Sequence, residues 1–270
     1  MTDSSAPAAD RRALVEPIVL SLVVGGMAAV MFATHRAGHW WGDDWALYVR
    51  QAEGLVSGST RRVLDENEFA VTMSRGPAFS PALYPWGFPL VLAPFVALWG
   101  VDVDRLAVVP VLSACAFACG WHLLARRRVG AVASMVGVVA VTISPLLLGW
   151  TELIQSEWTF LAVATWALVA LDRAVATDRL VGLTARWTTL VGLGLWTAAA
   201  FSVRREGLAL VAVMGVAQLA ALVARWRHGG PFRFERRLVG QLLLPHAVAG
   251  AAVWVLQVAL PTTVIPRYSG

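Results

Sequence analysis

The sequence predicts an all-α membrane protein, a polytopic transmembrane helical bundle of about seven spans, on three observations. Of its 270 residues 58% are hydrophobic and only 14% charged, and the mean hydropathy is +0.65. That composition is too apolar for a soluble globular domain. The apolar residues gather into eight runs, at about 13–34, 84–100, 105–125, 129–149, 157–174, 187–203, 207–224 and 238–260. Thirteen tryptophans accompany them, and indole rings collect at the lipid headgroup level.

The N-terminal stretch 1–12 is polar and carries Arg11 and Arg12. The run 13–34 that follows is longer than a signal-peptide core, so it reads as an uncleaved first span. The run 84–100 is short and contains Pro85, Pro89 and Pro94, which remove helix hydrogen bonds. A span needs about 20 residues to cross roughly 30 Å of hydrocarbon. Whether 84–100 crosses fixes the side of everything after it, and the arginines decide. All 22 basic residues other than histidine are arginine, none lysine, as a G+C-rich genome favours.

If 84–100 does not cross, the arginines of four connections share one side. These are the N-terminus, Arg126-Arg127-Arg128, the loop with Arg173, Arg179 and Arg186, and the loop with Arg225, Arg227, Arg233, Arg236 and Arg237. Short arginine-rich loops face the cytoplasm. A crossing at 84–100 would put eleven of these arginines outside. The sequence therefore predicts a cytoplasmic tail 1–12 and a single transmembrane domain 13–270. Its first external loop runs over 35–104, in an integral protein of the bacterial plasma membrane. Arginines placed to set topology argue against a nucleic-acid partner. Cys115 and Cys119 lie four apart within one apolar run and read as packed thiols.

Within the external loop, Trp45, Tyr48, Val49, Ala52, Leu55 and Val56 recur at helical spacing, and Gly58 ends the pattern. This predicts an amphipathic helix lying on the membrane with Asp43 or Asp44 at its start. The polar stretch 59–76 reads as a mobile segment, and 81–100 as a second interfacial or re-entrant helix packed on protein.

On this topology the external ends carry Asp43, Asp44, Arg75, Glu152, Glu157, Arg204, Arg205, Glu206 and Arg267. Carboxylates for proton transfer and guanidinium groups for phosphate at separate helix ends suit a charged, lipid-borne substrate. Each also has an ordinary alternative: acids cap helices and arginines snorkel to headgroups. His122 and His246 lie in apolar runs and read as core or interfacial residues. No zinc pattern, phosphate-cradling loop or nucleophile elbow is present.

Four stretches together resemble the GT-C superfamily of polytopic glycosyltransferases, which includes protein O-mannosyltransferase and aminoarabinose-transferase relatives. Gly42-Asp43-Asp44-Trp45-Ala46-Leu47-Tyr48 resembles the family's acidic first-loop motif, and the segment Tyr84 to Phe95 its Tyr-Pro-Pro-Gly-Tyr-Pro-Leu stretch. Ser156-Glu157-Trp158-Thr159-Phe160 is similar to its Ser-Glu-Pro motif, and Arg204-Arg205-Glu206-Gly207-Leu208 to its Arg-Pro-Glu-Gly motif. Trp86 and Arg205 stand where the family has proline. The resemblance covers nearly all of this chain but only the N-terminal half of a family member.

The resemblance implies inverting transfer of a sugar from a polyprenyl-phosphate donor to a glycan, lipid or protein acceptor of the cell envelope. Asp43 or Asp44 would be the base and Glu157 a second acid. Arg204, Arg205, Arg75 and Tyr84 would contact substrate or phosphate. A divalent cation (Mg or Mn) on Asp43, Asp44 and Glu157 is the alternative to arginine for neutralising the phosphate. The competing readings are a non-catalytic scaffold or degenerate remnant, and a transporter. Against a transporter, the middles of the seven predicted spans contain no Asp, Glu or Arg.

Overall fold

The computed structural model describes residues 6–39, 44–73, 83–182, 184–227 and 236–261, with side chains from residue 15 onward except 70–72. Every regular element among them is helical. In order they are α1 (Ala6–Thr34), α2 (Asp44–Ser57), α3 (Thr60–Met73), α4 (Gly87–Trp99), the one-turn α5 (Val103–Leu106) and α6 (Val108–Val129). Then come α7 (Ala131–Thr142), α8 (Pro145–Thr151), α9 (Glu157–Ala176), α10 (Trp187–Val203), a 3₁₀ turn (Arg205–Leu208), α11 (Ala209–Arg227) and α12 (Arg236–Ala259). Five stretches among the described residues are long and apolar enough to cross a membrane, six if the bent pair α7–α8 is one span. Helix α10, at 17 residues, is shorter.

Side-chain contacts sort the helix termini into two groups. In the first, Arg126 at the end of α6 donates to Glu16 near the start of α1 (2.5 Å), and Arg127 and Arg128 both donate to Asp172 of α9 (2.9 and 2.8 Å). Arg225 of α11 donates to the Val181 carbonyl, and the Gln241 amide of α12 bonds both backbone groups of Gly182 (2.8 and 2.9 Å). In the second, the Gly38 N–H after α1 donates to Asp104 beside α6 (2.6 Å), and Arg204 after α10 donates to Glu157 opening α9. The Trp86 indole N–H, just before α4, donates to the Pro261 carbonyl after α12 (2.8 Å). The arginine-rich connections thus share one end of the bundle, and Asp44, Glu157 and Glu206 the other.

Helix α4 starts and finishes at the acid end. Trp86 ties its start to Pro261, and Asp104, just past its finish, is bound by Gly38. Thirteen residues reach about 20 Å at 1.5 Å per residue, short of the hydrocarbon thickness. Phe88 and Leu92 are wholly buried in a cluster with Tyr48, Val49, Leu106, Ile154 and Val203. The helix packs on protein along this face and ends at Gly100, whose φ of +68° suits glycine. The helix expected within 81–100 is present as a short apolar helix, Gly87–Trp99, packed on protein.

Two segments depart from expectation. The stretch 60–73, expected to be mobile, is helix α3. Glu66 is bound by Arg62 one turn back and by Arg50 across from α2, while Val63 is buried with Leu83 and Trp86. Salt-bridged turns and one buried apolar residue organise a stretch whose average polarity suggests a loop. The run 129–149 is not one straight helix, because α7 and α8 meet at a 67° bend. Ser144 stands before Pro145 with ψ 128°, since a residue preceding proline is pushed out of the helical region.

Lipid tails give helices no hydrophobic reason to associate, so close packing and polar contacts must hold them together. Gly120 of α6 lets Thr165 and Trp166 of α9 approach, and Gly194 of α10 faces the Pro245 carbonyl and Val248 of α12. Pro245 has no N–H for the Gln241 carbonyl one turn earlier. Gln218 of α11 bonds the carbonyls of Gln241 and Leu242 instead (3.5 and 3.0 Å), so the carbonyl that the proline frees is not left unpaired. The two histidines of the apolar runs are partnered. His246 meets Gln218 (3.0 Å), and His122, wholly buried, bridges Glu16 (2.9 Å) and Ser134 (2.7 Å). Glu16 lies 106 positions from His122 in sequence, beyond the reach of any local pattern.

Candidate functional site

At the acid end, four separate elements bring polar side chains to one cluster. Asp44 is the first residue of α2, an ordinary place for an acid in helix initiation. Its Oδ1 accepts the Tyr84 hydroxyl at 2.5 Å. Tyr84 is held in turn by Gln51, a wholly buried residue of α2. The Gln51 Oε1 accepts the Tyr84 N–H and the Gln51 Nε2 donates to the Tyr84 carbonyl, both at 3.0 Å. This two-point clamp places the segment before α4 against α2.

The Tyr48 ring lies 4.6 Å from the Tyr84 ring and meets Phe88 edge-on at 5.0 Å. The Tyr48 hydroxyl reaches the Ser156 Oγ at 3.2 Å. Ser156, itself buried, also accepts Arg204 Nη1 at 3.3 Å. Arg204 sits between two carboxylates, at 2.5 Å from Glu157 Oε1 and 3.1 Å from Glu206 Oε1. Its hydrogen bond holds Glu206 below the ordinary carboxylate range. The Glu157 Oε2 is buried and has no hydrogen-bond partner among the described residues. Arg205 opens the 3₁₀ turn beside this group. Gly207 in that turn would put a Cβ 2.4 Å from the Phe201 nitrogen, so the chain folds back on α10 only with glycine there.

Burial pushes the Tyr48 hydroxyl up to about 12, with the Glu157 and Asp44 charges adding to the effect. Its unfolded value is about 10. An acid whose pKa is raised by folding stabilises the fold below its unfolded pKa and loses that contribution as pH climbs through the folded value. The wild-type protein should therefore lose about 2 kcal/mol between pH 9 and 12 through Tyr48. The gap in Tm between wild type and Tyr48→Phe should narrow over that window. A gap that stays constant in thermal melts from pH 9 to 12 would refute the assignment.

The sequence-predicted residues thus divide. Asp44, Tyr84, Glu157 and Arg204 come together, with Arg205 adjoining. Asp43 and Arg75 lie outside the described residues. Glu152 is half-buried and caps the end of α8. Among the described residues no group of three His, Cys, Asp or Glu could hold a metal ion. Asp44 and Glu157 each already bind a donor of the protein, Tyr84 and Arg204. The positive charge that the described residues supply here is guanidinium.

Four residues were not singled out as site residues by the sequence, although Tyr48 and Ser156 lie within the quoted motifs. Gln51 looks like a polar residue of an amphipathic helix, and Tyr48 like part of its apolar face. Ser156 looks like a cap. His39 accepts the Ile154 N–H on Nε2 (3.1 Å) and stacks on Trp45 at 4.8 Å.

Comparison of the sequence with models of known protein families and with curated proteins gives no match.

Proposed function

We propose that the protein is a membrane glycosyltransferase of the GT-C type, moving a sugar from a polyprenyl-phosphate donor to an acceptor at the extracytoplasmic face of a bacterial plasma membrane. The observation that carries the reading is the convergence of Asp44, Tyr84, Tyr48, Ser156, Glu157 and Arg204 at the end of the bundle away from the arginine-rich connections. In this reading α1, α6, the α7–α8 pair, α9, α10, α11 and α12 make seven crossings. The N-terminus is cytoplasmic, and α2, α3 and α4 lie along the outer surface.

The chemistry is a single inverting displacement at the anomeric carbon. The carboxylate of Asp44 or Asp43 removes the acceptor hydroxyl proton as the new glycosidic bond forms and the bond to the phosphate breaks. Tyr84 occupies one Asp44 oxygen and so fixes which lone pairs face the acceptor. Arg204, with Arg205 and Arg75, donates hydrogen bonds to the departing lipid phosphate. Glu157 and Glu206 hold the Arg204 guanidinium in place before the phosphate arrives. A divalent cation on Asp43, Asp44 and Glu157 is the alternative partner for that phosphate.

The test is transfer by the purified, reconstituted protein from radiolabelled polyprenyl-phosphate mannose, glucose and aminoarabinose to membrane and peptide acceptors. Transfer from any of them supports the reading. Its complete absence contradicts it and favours a scaffold.

A further inference from the structure

The arginine-rich end contains a second feature, which the proposed chemistry leaves unused. Helices α6 and α11 flank α9 and leave an open cleft of about 500 Å³. Leu168, Leu171 and Val175 of α9, with Trp121 and Leu124 of α6 and Ala217 of α11, make its surface almost wholly apolar. Arg128 and Asp172 stand on its rim.

The rim is not electrically neutral. Arg127 and Arg128 both bond the one carboxylate of Asp172, at 2.9 and 2.8 Å. Two guanidinium groups on one carboxylate leave a unit of positive charge. The neighbouring Arg126 is matched by Glu16 and adds no negative charge to offset it. Both Arg127 and Arg128 stay substantially exposed, at 44% and 61%, so each retains donors that a further anion can reach.

An apolar slot under a cationic rim matches an amphiphile with one negative head. We propose that this cleft is a binding site for an anionic phospholipid, with an acyl chain between α6 and α11 and the phosphate on Arg127 and Arg128. Basic pockets between membrane helices recognise acidic headgroups in this way. A zwitterionic lipid offers the same chain but no net charge to balance the rim. An additional protein helix would need an acid at the same depth. The site is independent of the transfer chemistry at the opposite end.

Trp121 lines the cleft and is 38% exposed, which makes it a contact probe. The full chain would be reconstituted in phosphatidylcholine vesicles containing increasing fractions of dibrominated phosphatidylglycerol or dibrominated phosphatidylcholine. The Trp121 contribution is isolated by subtracting the emission of Trp121→Phe. Half-maximal quenching of that contribution should need about tenfold less brominated phosphatidylglycerol than brominated phosphatidylcholine. R127Q/R128Q should abolish the headgroup preference, and Ala217→Phe should reduce quenching by both lipids. Equal quenching by both headgroups in the unmutated protein overturns the proposal without recourse to any variant. So does a Trp121 contribution that neither lipid quenches, as when protein fills the cleft. A headgroup preference retained by R127Q/R128Q removes the assigned phosphate site.

Discussion

Asp44→Asn should lower sugar transfer by about 10²–10⁴-fold, the range that a positioned general base contributes. The substitution isolates basicity from position. An asparagine side-chain oxygen can still accept the Tyr84 hydroxyl that now lies 2.5 Å from Oδ1, and the Gln51 clamp on the Tyr84 backbone does not involve Asp44. The site should thus keep its shape and lose its proton acceptor. Tyr84→Phe is the companion variant. It removes one hydrogen bond, worth about 1–3 kcal/mol to a charged partner, and should cost roughly 10-fold. Transfer by D44N at the wild-type rate, with D43N impaired, would move the base to Asp43. Unchanged transfer by D43N/D44N would end the role of both.

The second large effect is on the fold. A Cβ on Gly87 would lie 2.5 Å from the carbonyl carbon and oxygen of Ser202 and from the nitrogen of Val203. These are backbone atoms at the end of α10, so no side-chain rotation can relieve the clash. Gly87→Ala must push the start of α4 away from α10, at a cost of about 3 kcal/mol, the upper part of the overpacking range. For a chain of this size that is a fall of roughly 6–12 °C in Tm. Gly215→Ala in α11 is the opposite case, with nothing within 4 Å of the added atom. There the helix preference for alanine should leave stability unchanged or raise it by up to about 1 kcal/mol. Equal Tm values for the two variants would show that α4 does not dock on α10 as described. Because Tyr84 lies three residues before Gly87, G87A should also loosen the Tyr84–Asp44 contact and depress transfer.

What could be read from the sequence follows from the range of each interaction. Helix α2 was legible because its apolar residues repeat every turn and Gly58, at φ +71°, stops it. The shortness of α4 was legible because three prolines bear on its run, and the eleven arginines argue that it does not cross. Helix α3 was not, since Val63 acquires its burial from Leu83 and Trp86, which sequence brings no nearer than 20 positions. The bend between α7 and α8 has a local cause in Pro145, yet the apolar run continues through it and hides the break. In the site, the residue types were legible at Asp44, Glu157 and Arg204. Their partners were not, because Tyr84 is 40 positions from Asp44 and Arg204 is 47 from Glu157. Gln51 acts on the Tyr84 backbone, a contact that leaves no pattern in the chain.

The central claim is that the two ends of the bundle face opposite sides of the membrane, with the carboxylates outside. Single cysteines at Ser57, the last residue of the site helix α2, and at Thr177, after α9, placed in a Cys115→Ser/Cys119→Ser background, test it in intact cells with a membrane-impermeant maleimide. The account predicts that the cysteine at 57 is labelled at once and the one at 177 only after the membrane is opened. Labelling of both from outside, or of position 177 alone, would contradict it.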